Sequence, residues 1–464
     1  MSSRIMLVQI LANRSRRLLG SLGLAAVLLA AALLVLALLP AAEISADGPD
    51  EAHIVIQFGE NEAIVRPISF TAPISGLAAL EMTGLDIVTT VTGFGPAVCA
   101  IEGVGDPAAS CFGTGFWAYS FWNGLAWEPY LVGAGSSVVN DGAIELWSWS
   151  PAFVSPPAPG SGPQFVSAAN ALIWLAGQQS ATDGGYGNAS GTVEGLLAVG
   201  ANRYDAAEWR RQPNSPSLLG YMVANGSNYA NSGAGQGGKM AVGLAAANGC
   251  WPATALQPLA HYSPTTGIFG SSFGSGFQAW AILGTTALSQ TTPALAATAL
   301  KDAQQSNGGW EWSPGWGTDT NSTALAIQSL LAAGESTGST AIVNGLNYLD
   351  SAQNNDGGFP YDPVSPWGTA SDTNSTAYVV QAILAAGQDP LAGDWVISGA
   401  NPISYLLSMQ LPDGSFEWQP GSGANQLATQ QAIPALLSRS FPLQVTDLDR
   451  CPVYYMPLIF KQAN

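Results

Sequence analysis

Three textures follow one another along the chain, and each predicts a different kind of element. Leu18 to Ala42 is an uncharged apolar run preceded by Arg4, Arg14, Arg16 and Arg17. A run of that length can span a bilayer, with the basic residues on its leading side. Its exit, Leu39-Pro-Ala-Ala-Glu43, suits a cleaved signal or a retained anchor, so residues 1–42 are one or the other. Both readings place the body outside the cytoplasm, secreted or anchored to the membrane by residues 18–42. Residues 52–150 then alternate short β-rich runs with Gly or Asn-Gly punctuation, beginning with His53-Ile-Val-Ile-Gln-Phe58. Asn123-Gly124, between Tyr119-Ser-Phe-Trp122 and Leu125-Ala-Trp127, predicts a hairpin, and Ala78–Met82 a short helix. The pattern predicts a small α+β module.

Residues 151–164 form a linker with five prolines between Pro151 and Pro163, and are therefore extended and semi-rigid. Beyond it, from 165 to 440, Ala/Leu-rich helical stretches alternate with Gly-rich turns; a tail follows at 441–464. Thr320-Asn-Ser-Thr-Ala-Leu-Ala-Ile-Gln-Ser-Leu-Leu-Ala-Ala-Gly334 returns, 53 residues later, as Thr373-Asn-Ser-Thr-Ala-Tyr-Val-Val-Gln-Ala-Ile-Leu-Ala-Ala-Gly387. Near-identity at a fixed spacing marks an internal repeat. The unit is a helical hairpin, and six copies fall near 166–201, 216–250, 254–287, 294–335, 341–388 and 401–439. Ile342, Leu346, Leu349 and Gln353 follow 4-3-4 spacing on one helix face. A hairpin this small cannot bury its own apolar stripe, whereas stacking does so, and six hairpins suffice to close a ring.

Composition narrows the partners. Past residue 42 the chain holds 9 basic and 31 acidic side chains, a net charge of −22, which excludes nucleic acid as a partner. Of the four cysteines, Cys99 and Cys111 bracket a short Gly/Pro-containing segment and are a disulfide candidate; the pairing of Cys250 and Cys451 stays open. Two histidines, His53 and His261, and no Cys-x-x-Cys give no metal site. Asp319 and Asp372 each precede a Thr-Asn-Ser-Thr helix start, the signature of an N-cap. In a closed ring such caps surround one mouth, where they would also face a guest.

The turns are more specific. Tyr348-Leu349 leads to Gln353 and then Gly357-Gly-Phe359; Tyr405-Leu406 leads to Gln410 and Gly414-Ser-Phe416; Trp174-Leu175 leads to Gln179 and Gly184-Gly-Tyr186. Gln304 to Trp310 is a degraded fourth copy. This resembles the glutamine–tryptophan repeat of the squalene cyclase and prenyltransferase α/α toroids, over about residues 166–440. The resemblance implies that each Gln amide satisfies turn backbone groups while the aromatic packs between hairpins. The warheads of those families do not carry over. Where squalene-type cyclases need Asp-x-Asp-Asp, the chain reads Asp319-Thr-Asn321-Ser322 and Asp372-Thr-Asn374-Ser375. The Asp/Cys/His zinc set of protein prenyltransferases is reduced to Cys250 and His261, and the Cys-Gly-Glu-Gln thioester of complement-type toroids is missing.

Residues 52–150, through Gly95–Gly103 and Phe116–Gly124, resemble the β module of the cobalamin carriers, although there the module follows the toroid. The fold expected is thus two domains, a small α+β (β-grasp-like) domain followed by an all-α (α/α)6 toroid. The carrier resemblance implies a non-catalytic small-ligand-binding protein holding cobalamin or a similar corrinoid between toroid and β module, with no other cofactor. Aromatic supply fits a small amphiphilic or planar ligand, or a glycan. The expected binding set is Asp319, Asn321, Asp372, Asn374, Trp312, Trp316, Tyr361, Trp367, Trp117 and Trp122. The alternatives are a terpene-cyclase/prenyltransferase-like or lyase enzyme with Asp319 or Asp372 as general acid, and an extracellular scaffold without a small ligand. The membrane is a partner if the N-terminal segment is uncleaved.

Overall fold

The computed structural model describes residues 49–443 apart from 94, 250–255 and 257. Leu18–Ala42, Cys250 and Cys451 lie outside the described residues. No described helix is long and apolar enough to cross a membrane.

The N-terminal module is built on β1 (Asp50–Gly59), β2 (Glu62–Phe70), β6 (Gly115–Trp122), β7 (Trp127–Pro129) and β8 (Ala143–Pro151). They form one mixed sheet in the order β2-β1-β8-β6-β7, with β1 and β8 parallel at its centre. That is the β-grasp arrangement, completed by helix α1 (Gly76–Glu81) and a second sheet of β3 (Ile87–Thr92), β4 (Gly95–Ile101) and β5 (Val104–Gly105). The hairpin at Asn123 forms because its side-chain oxygen accepts the N–H groups of Leu125 and Ala126, both at 2.8 Å. Cys99 and Cys111 are disulfide-bonded. Period-2 alternation splits the sheet between two cores. Ile54, Ile56, Phe58, Ile64, Trp147 and Trp149 pack within the module, while Val55, Ala63, Val65 and Leu146 share a core with Phe165, Ala168 and Leu172 of the first toroid helix.

The toroid follows. Its outer layer is α2 (Gly162–Gln178), α4 (Leu218–Ala230), a single 3-10 turn at Pro258–His261, α7 (Ala294–Asp302), α9 (Thr340–Ala352) and α11 (Pro402–Ser408). Its inner layer is α3 (Ala189–Ala201), α5 (Ala234–Ala246), α6 (Ser275–Ala287), α8 (Thr320–Ala332), α10 (Thr373–Ala385) and α12 (Gln426–Leu436). Each inner helix packs on the next, and α12 packs back on α3, so the ring is closed. The outer layer closes too: Gln410 Nε2 donates to the Ser167 carbonyl of α2 at 2.8 Å.

The glutamine turns explain the repeat. Gln179, Gln304, Gln353 and Gln410 each donate from Nε2 to the carbonyl of a turn glycine (Gly184, Gly308, Gly357, Gly414) at 2.8–3.0 Å. Each also donates to a backbone carbonyl of the neighbouring hairpin around the ring, as Gln353 does to Trp395 at 3.0 Å. The fourth, degraded copy is as regular as the others. These glycines have φ of 83° to 89°, and at Gly357 a Cβ would meet Asn401 backbone atoms at 2.6–2.8 Å. The aromatic that follows, Tyr186, Trp310, Phe359 or Phe416, is buried, and its N–H donates at 2.9–3.0 Å to a threonine hydroxyl on the next inner helix: Thr192, Thr323, Thr376 or Thr429. The third hairpin solves the problem differently. Gln278, on its inner helix, donates to Gly267 and Ala296 and accepts from Phe269 N.

The β module covers the ring's C-terminal mouth. Asn61 donates to the Leu384 carbonyl at the end of α10 at 3.0 Å. Asn202, past α3, exchanges two hydrogen bonds with the Val65 backbone at 2.8 and 3.0 Å. Glu62 pairs with Arg203 and with Arg439 beyond α12. The seam between module and toroid is therefore protein core and backbone pairing, leaving a cavity of about 240 Å³ beside Gln57, Pro157 and Leu384. Pockets that bury small molecules run to about 300–1,000 Å³. The ligand expected between the modules has no chamber there.

Candidate functional site at the open mouth

The N-terminal ends of the inner helices ring the other mouth. Four begin with a side-chain cap in the same geometry: Asn188 accepts from Gly191 N at 2.9 Å, Asp319 from Ser322 N at 2.7 Å, Asp372 from Ser375 N at 2.8 Å and Asn425 from Ala428 N at 3.0 Å. Capping of Asp319 and Asp372 is thus real. It does not explain why they are acids, since asparagine makes the same bond in the same protein at less desolvation cost. The two carboxylates sit on neighbouring helices and each takes a second bond, from Ser322 Oγ at 2.6 Å and Ser375 Oγ at 2.8 Å. Both are nearly fully buried. Burial is the larger influence and pushes both carboxyls up, Asp319 to about 6, against the lowering effect of the serine donors.

What lies over each cap comes from the next repeat. Two residues past three of the four buried aromatics, Trp310, Phe359 and Phe416, is a second one: Trp312, Tyr361 and Trp418. Tyr361 is fixed over α8 because its carbonyl accepts Thr320 N at 2.9 Å, and Trp418 over α10 because its carbonyl accepts Thr373 N at 3.0 Å. Trp312 lies on α6, where a Cβ on Gly276 would strike its ring at 2.1 Å. At Tyr361 the residue above the cap brings a hydroxyl, which interacts with the Asp319 carboxyl, as does the backbone N–H of Trp312.

Counting six residues from each inner-helix cap gives one layer across the lumen: Glu194, Lys239, Trp280, Leu325, Tyr378 and Gln431. Lys239 pairs with Glu194 and stands 4.8 Å over the Trp280 ring. Gln431 donates to Glu194 at 3.1 Å and accepts from Asn374 at 2.6 Å. Below this layer Phe441 enters from the covered side. Its N–H donates to Gln328 at 2.8 Å, and its ring lies 5.1 Å from Trp280 and 6.4 Å from Tyr378. Phe441 thus floors the lumen from the covered side.

The structure therefore brings together Asp319, Asn321, Asp372, Asn374, Trp312 and Tyr361, with Trp316 and Trp367 exposed on the same rim. It does not bring Trp117 and Trp122 there. Trp117 is buried in the β module against Phe58 and Trp149, and Trp122 packs on Trp127 and on Gly162 at the start of α2. Glu194, Lys239, Trp280, Tyr378 and Trp418 are the residues that motif reading missed. Counting from the duplicated caps would have found the lumen layer, and one of only three lysines in the chain, set in the Gly-rich helix at 239, was a further signal. No group of three or more His, Cys, Asp or Glu side chains among the described residues could hold a metal ion.

Residues 276–454 match the family model described as the prenyltransferase alpha-alpha toroid domain. No curated protein matches the chain. Among solved structures it is similar to a variant of the type II terpene cyclase MstE from Scytonema in complex with geranylgeranyl dihydroxybenzoate, at 14% identity and a TM-score of 0.43 over 60% of this chain and 97% of that one. It is also similar to ent-copalyl diphosphate synthase from Streptomyces platensis (17%, TM-score 0.33, 62% and 51% covered) and to Candida albicans protein geranylgeranyltransferase-I complexed with GGPP (14%, 0.35, 58% and 83%). At these values the structural likeness extends to the fold alone. The cobalamin-carrier expectation is overturned. The matching family model is that of the prenyltransferase toroid, and the seam meant for the corrinoid is filled by protein.

Proposed function

We propose that the chain is an enzyme of the terpene-cyclase/prenyltransferase kind, acting on a small amphiphilic, isoprenoid-like molecule at the open mouth with Asp319 as proton donor. The observation that carries this is the choice of acid over amide at two of four equivalent caps, one of them facing a tyrosine hydroxyl. Below pH 6 Asp319 is mostly protonated, and the Tyr361 hydroxyl interacts with its carboxyl. A carboxyl of that strength suits protonation of an oxygen, such as an epoxide or allylic alcohol, better than an unactivated alkene, which agrees with the loss of the Asp-x-Asp-Asp set. Proton transfer to the oxygen breaks its C–O bond, a neighbouring alkene attacks the carbon set free, and a proton is lost from the resulting cation, so the overall change for an epoxide is isomerisation. Asn321 and Asn374 would hold the polar end, and the collar aromatics the chain.

An extracytoplasmic setting fits the Cys99–Cys111 disulfide and the apolar run Leu18–Ala42. The test is turnover of an epoxidised geranylgeranyl ester by the full chain. Asp319→Asn should lower it by about 100-fold or more, the scale of a lost general acid, while Asn keeps the cap and the fold. Undiminished turnover in a folded Asp319→Asn protein would remove the reading.

A further inference from the structure

Three consecutive hairpins of the open mouth each raise an indole into solvent. Trp316 is 74% exposed, Trp367 95% and Trp418 45%, with Val364 beside them at 83%. The loops that carry them, residues 310–319, 359–372 and 416–425, contain no lysine or arginine. The carboxylates and two serines of these loops hold the loops' own backbone. Glu311 accepts the N–H groups of Gly315 and Gly317 at 2.8 and 3.1 Å, and Glu417 those of Gly421 and Gly423 at 3.0 and 2.8 Å. Asp362 accepts from Val364 N, Ser365 from Trp367 N, and Ser422 from Trp418 N and Gln419 N.

We propose that this collar docks on a neutral, zwitterionic lipid bilayer. Indoles favour the boundary between headgroups and acyl chains, where the ring is apolar and its N–H stays wet. The aliphatic Val364 at the rim has the same preference. Because the loop carboxylates are bonded to their own backbone, little unsatisfied polar surface is dehydrated on docking. Without cations the collar has nothing to draw it to anionic headgroups, which selects neutral lipid. A glycan platform needs free donors and acceptors beside the rings for sugar hydroxyls, and here Glu311, Asp362, Ser365, Glu417 and Ser422 are bonded to their own loops. Docking sets the mouth, with Asp319 and Tyr361, against the surface in which an amphiphile dissolves. The inference extends the proposed reaction by naming where the substrate comes from, yet it stands on the collar alone.

The experiment is amide hydrogen exchange of the full chain with and without phosphatidylcholine vesicles, compared with the W316A/W367A/W418A variant. Leu18–Ala42 can hold the chain on vesicles by itself, so the readout is confined to the hairpins. Exchange at 311–319, 360–371 and 417–425 should slow at least fivefold with vesicles, and the slowing should vanish in the triple variant at unchanged melting temperature. Three results overturn the proposal: unprotected hairpins on a vesicle-bound chain, slowing that persists in the variant, and protection by a soluble xylo-oligosaccharide but not by vesicles. Asp319→Asn should dock like the unaltered chain, so failure of docking and failure of the proposed chemistry are separable.

Discussion

The two mouths of the toroid use the same six helices for opposite ends. At the C-terminal mouth the last carbonyls and the residues after them are consumed by the β module: Leu384 by Asn61, the Asn202 amide by Val65, Arg203 and Arg439 by Glu62. At the N-terminal mouth four of the six inner helices carry a side-chain cap, and the N–H groups of Thr320 and Thr373 are taken by carbonyls of the next repeat, so the toroid satisfies them without the β module. Caps leave room above, and on three consecutive inner helices the next repeat fills that room with an aromatic, Trp312, Tyr361 or Trp418. One mouth is therefore a folding interface and the other is left uncovered by the module.

Substitutions that separate activity from stability test that contrast. Asp319→Asn should have the largest effect, about 100-fold or more on turnover, with no loss of melting temperature because the cap is retained. Glu62→Ala should show the reverse. It strands Arg439, whose guanidinium is buried and held down to about 10 chiefly by desolvation. Unfolding free energy should fall by about 3 kcal/mol in a denaturant titration; a loss below about 1 kcal/mol would mean that the covered mouth is not braced by this pair.

A smaller effect separates the two mouths by pH. The Asp319 carboxyl lies above its ordinary value of 3.8, at about 6, so the folded state binds more protons than the unfolded state between those limits. The associated stability is fully present below 3.8 and is lost as pH rises through 6, on the order of 2–3 kcal/mol. Asp319→Asn should flatten that slope in melts taken from pH 4 to 7, and an unchanged slope would place the titration elsewhere. Least of all, Trp316→Ala and Trp367→Ala should move stability by under about 0.5 kcal/mol, because surface groups without partners contribute little to the fold. A larger loss would show that these indoles pack on the collar in solution.

Much of this fold is legible in one dimension because it repeats. Asp319 and Asp372 announce their caps through an identical Thr-Asn-Ser-Thr, and Gln353 and Gln410 announce their turns through a glycine four residues on. In each case both partners lie within one turn of the chain, so spacing alone specifies the bond. Trp117 and Trp122 misled for the converse reason: a cluster of aromatics has the same composition in a core as in a site, and only burial tells them apart. Gln278 escaped notice because its repeat moved the amide from the turn to the helix while keeping its function.

What the sequence determined by itself is everything governed by neighbours: the helical hairpins, their number, their caps, the hairpin at Asn123 and the absence of the known catalytic motifs. What only the tertiary structure decided is what ring closure brings together. Tyr361 is set over Asp319, Glu194 opposite Lys239, and Phe441 between Trp280 and Tyr378, from hairpins tens of residues apart. The seam at Glu62 belongs to the same class, and it turned an expected ligand chamber into a packed interface. Local bonds depend on spacing, which a sequence states outright. Contacts across a closed ring depend on the angle at which each hairpin meets the next, and that angle is set by packing summed over the whole circle.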